Sequence, residues 1–91
     1  MASFEKRRKA IITRDVDDGM LLLDASANLI HQLNETARFV WHYCDGRTSD
    51  KEIAVTLVRN YGIDEKIAMM DVIETLGKLK ALNLIVEAEA G

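Results

Sequence analysis

An α+β domain, sheet first and helices after it, is the fold class that the sequence predicts, and two observations predict it. Up to Leu33 the apolar residues fall in short runs broken by turn-forming residues; from Asn34 onward they recur at helical spacing. Leu29, Ile30 and Leu33 make a short apolar strand, whereas Ala37, Val40, Trp41 and Cys44 follow the i, i+3, i+4, i+7 spacing of one helical face. The period changes at Asn34. Its short side chain suits an N-cap, and Glu35 stands in the first turn, where the helix dipole favours an anion.

Taken in order, residues 1–9 are expected to form a flexible basic segment with little to bury. Ala10 to Thr13 reads as a short edge strand ended by Asp15, Asp17 and Asp18. Those three carboxylates lack the later ligands and terminal glutamate of a calcium loop, so they are read as a polar turn. Gly19 opens a second strand, Met20 to Asp24, whose MLLL run is apolar on both faces. An ordinary small antiparallel sheet keeps one face wet, so this run asks for helices, another chain or a twisted edge over its second face. Such a face leaves room for a homodimer without demanding one. Ala25 to Asn28 is a tight connection, and Leu29 to Leu33 returns as the third strand.

Three helices follow. The first is expected to end at Asp45-Gly46, with Gly46 as a left-handed cap. Ser49 and Glu52 form an S-x-x-E capping box for the second, whose apolar stripe is Ile53, Leu57 and Tyr61 and whose terminator is Gly62. Asp64 caps the third, Glu65 to Leu82, with Ala68, Met69, Val72, Ile73, Leu76, Leu79 and Leu82 as its broad stripe. Gly77 would weaken that helix by about 0.5–1 kcal/mol relative to alanine, a cost that close approach to the sheet could offset. Asn83 suits a left-handed cap, Leu84, Ile85 and Val86 form a last apolar run, and residues 87–91 should fray.

Composition narrows the function. With 91 residues, 48% hydrophobic and 30% charged, the chain reads as a single globular domain over 10–86. It has no apolar run of membrane-span length and no apolar region of signal-peptide type behind the charged start, so the expected address is cytoplasmic. Lys6, Arg7, Arg8 and Lys9 against Glu5 give the first nine residues +3, which leaves −6 on the remainder of a chain whose total is −3. That acidic body argues against a nucleic-acid partner. Cys44 is the sole cysteine, on the same helical face as Trp41, and is read as a core residue. Neither His31 nor His42 has clustered carboxylates at metal-site spacing. The sequence contains no G-x-x-x-x-G-K-S/T loop, no H-E-x-x-H site and no paired-cysteine motif, so neither cofactor, metal nor catalysis is expected.

Several stretches, in order and with the right intervening lengths, carry a resemblance: GMLLLD at Gly19 to Asp24, LNETA at Leu33 to Ala37, Trp41, CDG at Cys44 to Gly46, then Ile53, Leu57, Tyr61, Asp71-Val72, Leu76, Leu79 and Leu82. Over residues 10 to 86 the chain resembles the peptide-modification chaperones of the coenzyme PQQ synthesis protein D family. The resemblance implies a winged-helix-like domain, a three-stranded antiparallel sheet packed with three helices. It also implies non-catalytic recognition of a ribosomal precursor (leader) peptide and its presentation to a modifying enzyme, a radical SAM enzyme in PQQ synthesis. In that family the peptide adds as a strand beside the third sheet strand, in a groove bordered by the third helix. Transferred to this chain, the strand is Leu29, Ile30, His31, Gln32 and Leu33, and the helix contributes Ile67, Met70 and Lys78. Asn83 stands where many relatives have glycine, and asparagine tolerates the same left-handed geometry.

A winged-helix DNA-binding regulator is the competing class, since KLKALNLIV also resembles the last helix and first wing strand of such proteins. The third helix lacks a dense set of base-reading arginines, and little sequence follows to complete a wing. A structural interaction subunit is the third alternative.

Overall fold

The computed structural model describes residues 2–7 and 10–88. In chain order its elements are β1 (Ser3–Lys6), β2 (Ile11–Val16), β3 (Gly19–Asp24), β4 (Leu29–Asn34), α1 (Glu35–His42), β5 (Asp45–Ser49), α2 (Asp50–Tyr61), α3 (Glu65–Ala81) and β6 (Ile85–Glu87). The expected three-stranded antiparallel sheet is present with the order β2-β3-β4. A second antiparallel sheet, β5-β1-β6, was not foreseen.

The main sheet follows from alternation along β3. Met20, Leu22 and Asp24 are buried, while Leu21 and Leu23 face the other way. β2 runs further than expected, taking Asp15 into the strand opposite Met20 and leaving Asp17 and Asp18 as the turn. The second face of the MLLL run stays open: Ile12 and Ile30, which flank Leu23 on either side, are 61% and 69% exposed. Between β3 and β4, Asn28 takes the left-handed conformation at φ 55°, and the Asp24 carboxylate accepts hydrogen bonds from the Ser26 hydroxyl (2.7 Å) and the Ala27 N–H (3.3 Å). Aspartate thus closes a turn that has no glycine.

Asn34 ends the strand and starts the helix as expected, its side chain accepting the Ala37 N–H at 2.8 Å. α1 stops earlier than Gly46, however, and Tyr43 is its C-cap. The residues beyond it extend into β5 because β1 is there to pair with them; Gly46 (φ 80°) lets the chain pass the Glu5 side chain, where a Cβ would lie 3.1 Å from the carboxylate. The Asp45 carboxylate accepts the N–H groups of Arg47 and Thr48 and so shapes the same bend.

β1 lies inside the stretch expected to be flexible. Phe4 packs against the core, and the Lys6 ammonium donates to the Cys44 carbonyl at 3.1 Å while lying 5.0 Å from the Trp41 ring centre. An apolar anchor and a cation at a helix end are what the basic-run reading overlooked. Residues 1, 8 and 9 of that segment, and 89–91 of the expected frayed tail, lie outside the described residues. Glu87 belongs to β6.

α2 carries the full capping box, Glu52 N–H to Ser49 Oγ at 3.1 Å and Ser49 N–H to Glu52 Oε1 at 3.0 Å, and ends on left-handed Gly62. Tyr61 is not core; it is 46% exposed, packs edge-on against Phe39 and donates its hydroxyl to Glu35. α3 begins at the Asp64 cap and ends in a Schellman motif, with Leu84 N–H to the Leu79 carbonyl and Asn83 N–H to that of Lys80, both 3.0 Å, around Asn83 at φ 63°. Ala68, Val72, Leu76 and Leu79 are buried, but Ile73 and Leu82, expected in the stripe, are exposed.

Leu22, Val40, Trp41, Ile53, Leu57, Val72, Leu79 and Ile85 belong to one core, each contributing about 1.5–3 kcal/mol on burial. α1 rests on β3 and β4, and α3 packs on α1, α2 and β6. Gly77 makes no close approach to the sheet: nothing lies within 4 Å of where its Cβ would be. Gly77→Ala should therefore stabilise the fold by about 0.5–1 kcal/mol, raising the thermal midpoint by a few degrees.

Candidate functional site

β4 is an edge strand, and its exposed side has a definite chemistry. The Ala25 N–H donates to the Ala10 carbonyl at 2.9 Å, extending the β2–β3 ladder by one pair beyond Ile11 and Asp24. Alternate residues of an antiparallel strand bond to opposite neighbours, so Leu21 and Leu23 bond to β2, while Met20, Leu22 and Asp24 bond to β4. Their partners Leu33, His31 and Leu29 spend their backbone groups inside the sheet. Ile30 and Gln32 turn theirs to the open edge.

The other edges are defended. β2 carries Arg14 and Asp15, with Arg38 3.7 Å from Asp15; β5 carries Asp45 and Arg47; β6 has only three residues. Charges and shortness are the usual means of blocking strand addition. β4, LIHQLN, has neither.

Beside this edge lies a groove of about 350 Å³, walled on one side by Ile30 to Asn34 and on the other by Thr75, Lys78 and Leu79 of α3 and its C-cap Leu82, with Ala37 of α1 also lining it. The helix residues follow the i, i+3, i+4, i+7 rule and so share one face. Of the residues expected from sequence, Ile30, His31, Gln32, Leu33 and Lys78 line the groove, and Leu29 stands half exposed at the start of the strand. Ile67 and Met70 do not reach it; they are 54% and 68% exposed on α3, N-terminal to the groove wall. Thr75, Leu79 and Leu82 were missed as groove residues because Leu79 and Leu82 share the stripe that buries the helix. The spacing of Thr75, Lys78 and Leu82 was the available signal.

A sequence profile described as coenzyme PQQ synthesis protein D matches residues 19–85. The chain belongs to the coenzyme PQQ synthesis protein D family. The matched span contains β3, β4 and all three helices, and therefore both walls of the groove. Lasso peptide synthetase B1 complexed with the leader peptide is a structural neighbour, with a TM-score of 0.79 at 27% identity over 93% of this chain and 99% of that one. TbiB1 in complex with the TbiA(beta) leader peptide has the same fold, with a TM-score of 0.76 at 20% identity over 96% and 99% of the two chains. No match was found among curated proteins.

Two polar groups set the character of this family member's groove. The His31 Nε2 is shielded from solvent without a hydrogen-bond partner among the described residues. An unpaired buried group of this kind costs on the order of 1–3 kcal/mol. Among the described residues Lys78 is the only charged one that lines the groove, and its ammonium lies 3.4 Å from Glu74 in an exposed pair that contributes little to stability.

The remaining surface offers less. A hollow of about 440 Å³ lies along the β2 side among Lys6, Asp15, Arg38, Trp41, His42 and Tyr61, away from the open β4 edge. An apolar hollow of about 290 Å³ separates α2 from α3 around Val55, Val58 and Met69. Among the described residues no group of three or more His, Cys, Asp or Glu could hold a metal ion, and no helix is long and apolar enough to cross a membrane.

Cys44 is core, as expected. Burial pushes its thiol up to about 12, with Lys6 lowering it and Asp45 raising it, and Sγ donates to the Val40 carbonyl at 3.3 Å. Because the unfolded thiol ionises near 9.0 and the folded one does not, the unfolded state loses a proton first as pH rises. Stability should fall by about 1.4 kcal/mol per unit between pH 9 and 12 from this group. Denaturant melts of Cys44→Ala against the parent protein should show that slope removed, and iodoacetamide at pH 8 should label Cys44 only after unfolding.

Proposed function

We propose that this chain is a non-catalytic binder of the leader segment of a ribosomal precursor peptide, which it takes up as a fourth antiparallel strand on β4 and presents to a separate modifying enzyme. The observation that carries the reading is the undefended β4 edge, with Ile30 and Gln32 turning backbone donors and acceptors outward beside a groove walled by α3. Main-chain pairing supplies affinity with limited demand on sequence, and side-chain pockets supply specificity. The structural neighbours captured with leader peptides support it. Binding beside a catalyst raises the local concentration of the modifiable segment, which accelerates processing with no chemistry in this chain. The partner would be a radical SAM enzyme if the pathway is that of PQQ, and the setting would be the cytoplasm. A DNA-reading role fits less well: the exposed side of α3 carries Ile67, Met70 and Ile73 instead of a basic row.

The test is an NMR titration of labelled protein with leader peptides encoded beside its gene, with an unrelated peptide and duplex DNA as controls. Saturable shifts centred on Leu29 to Leu33 and on Thr75 to Leu82 are expected. A folded protein that gives no shift with any such leader, alone or with its enzyme, would rule the assignment out, and shifts with DNA alone would favour a regulator.

A further inference from the structure

We propose that the groove reads an acidic residue: the side chain of the added strand opposite His31 is an aspartate or glutamate, held by the imidazole and the Lys78 ammonium, and is followed directly by an aliphatic residue against Ile30. The inference rests on strand addition at β4.

Pairing geometry singles out the position. Ile30 and Gln32 hydrogen-bond to the added strand, so His31 meets its partner as a non-hydrogen-bonded pair. In such pairs the Cα atoms approach to about 4.5 Å and the side chains lie closest. His31 shares the inner face of β4 with buried Leu33, so its partner points into the groove toward α3.

The walls at that point call for an acceptor with negative charge. His31 lines the groove, and its Nε2, shielded from solvent, has no hydrogen-bond partner among the described residues, so a carboxylate entering the groove would supply the missing acceptor. A carboxylate accepts only, and so matches an imidazole N–H and an ammonium together. Neither aspartate nor glutamate is among the groove's lining residues, although the chain as a whole carries −3. Asp71 and Glu74 belong to the preceding turn of α3. Glu74 holds Lys78 in water, where the pair exchanges readily, whereas a peptide carboxylate would meet the same ammonium between Leu33, Leu79 and Leu82 with less water to screen it.

The outer face fixes the neighbour. Ile12, Leu23 and Ile30 are direct cross-strand partners, an aliphatic row across three strands that ends at the open edge. The peptide residue opposite Ile30 falls on the same face and extends the row, so it is best aliphatic. In an antiparallel strand that residue comes immediately after the one opposite His31. The recognised pair is therefore acid then aliphatic.

A displayed library of random dodecapeptides, selected on the intact protein, tests this even when the natural leader is unidentified. Selected peptides should share an Asp or Glu followed by Ile, Val or Leu and shift the Ile30 and Gln32 amides. Changing the shared acid to its amide should weaken binding by about tenfold, as should His31→Leu or Lys78→Met, and the acid-to-amide change should matter little in either variant. Amide spectra check that His31→Leu folds; Lys78 is exposed, so Lys78→Met keeps the test open if it does not. Selected peptides that shift β4 but show no acid, or bind equally as the amide, would overturn this proposal and leave strand addition standing. No enrichment, or shifts confined to other surfaces, would overturn both.

Discussion

Proline at Ile30 should weaken leader-peptide binding by at least about tenfold and leave the fold standing. The Ile30 N–H points to the open edge, so the substitution removes no bond between β3 and β4, and proline is tolerated on an edge where its missing donor would have faced solvent. For an added strand the change is severe, since one ladder bond disappears and the pyrrolidine ring intrudes on the line of approach. Affinity should drop by at least about tenfold, while the thermal midpoint moves by no more than a few degrees. His31→Pro is the contrasting control. The His31 N–H bonds inward opposite Leu22, so proline there breaks the β3–β4 ladder and should cost about 3 kcal/mol or more. Calorimetric titration with a cognate leader, paired with thermal melts of both variants, separates the two outcomes. If Ile30→Pro binds like the parent protein, the peptide is not on this edge.

The parts of the fold legible in sequence were those that a few neighbouring residues decide. Asn34, the Ser49/Glu52 box, Gly62, Asp64 and Asn83 each satisfy or terminate a helix end locally, and each acts as its residue type suggests. The second sheet was illegible for the opposite reason. Ser3–Lys6 and Asp45–Ser49 contain almost no apolar alternation, and they are strands because they find each other and Ile85–Glu87 across long sequence separations. Gly46 was misread on the same account, since a left-handed glycine after a helix looks like a cap until a strand is known to pass beside it. For the site, the strand wall Leu29 to Leu33 was placed by the family resemblance, with the unpaired edge of an apolar strand as its physical support. The helix wall was only partly readable: whether Ile67, Met70 or Thr75 faces β4 depends on how α3 is rotated against α1, which the apolar stripe constrains only loosely.

Gly19→Ala should be the most damaging single-methyl change in the chain. Gly19 is buried at the start of β3, paired with Val16 on one side and Asn34 on the other. A Cβ there would overlap the Leu33 carbonyl oxygen, and would lie 2.9 Å from the Leu33 carbonyl carbon and 3.0 Å from that of Asn34. All three atoms are backbone, at the point where β4 becomes α1, so no side chain can swing aside to make room. Either β3 and β4 part at this end or the Asn34 cap is displaced with the helix it starts. Overpacking costs about 1–3 kcal/mol where side chains can adjust, and against backbone the upper end, about 3 kcal/mol, is expected, a large share of the roughly 5–15 kcal/mol that stabilises a domain. Gly77→Ala provides the internal comparison, since the same methyl meets open space there and is expected to stabilise. Equilibrium denaturation of the two variants should move the midpoint in opposite directions; an unshifted Gly19→Ala midpoint would mean that the β4 backbone yields. The glycine that opens GMLLLD is thus required for space and not for conformation, because it lets β3 and β4 approach to van der Waals distance at the point where β4 turns into α1.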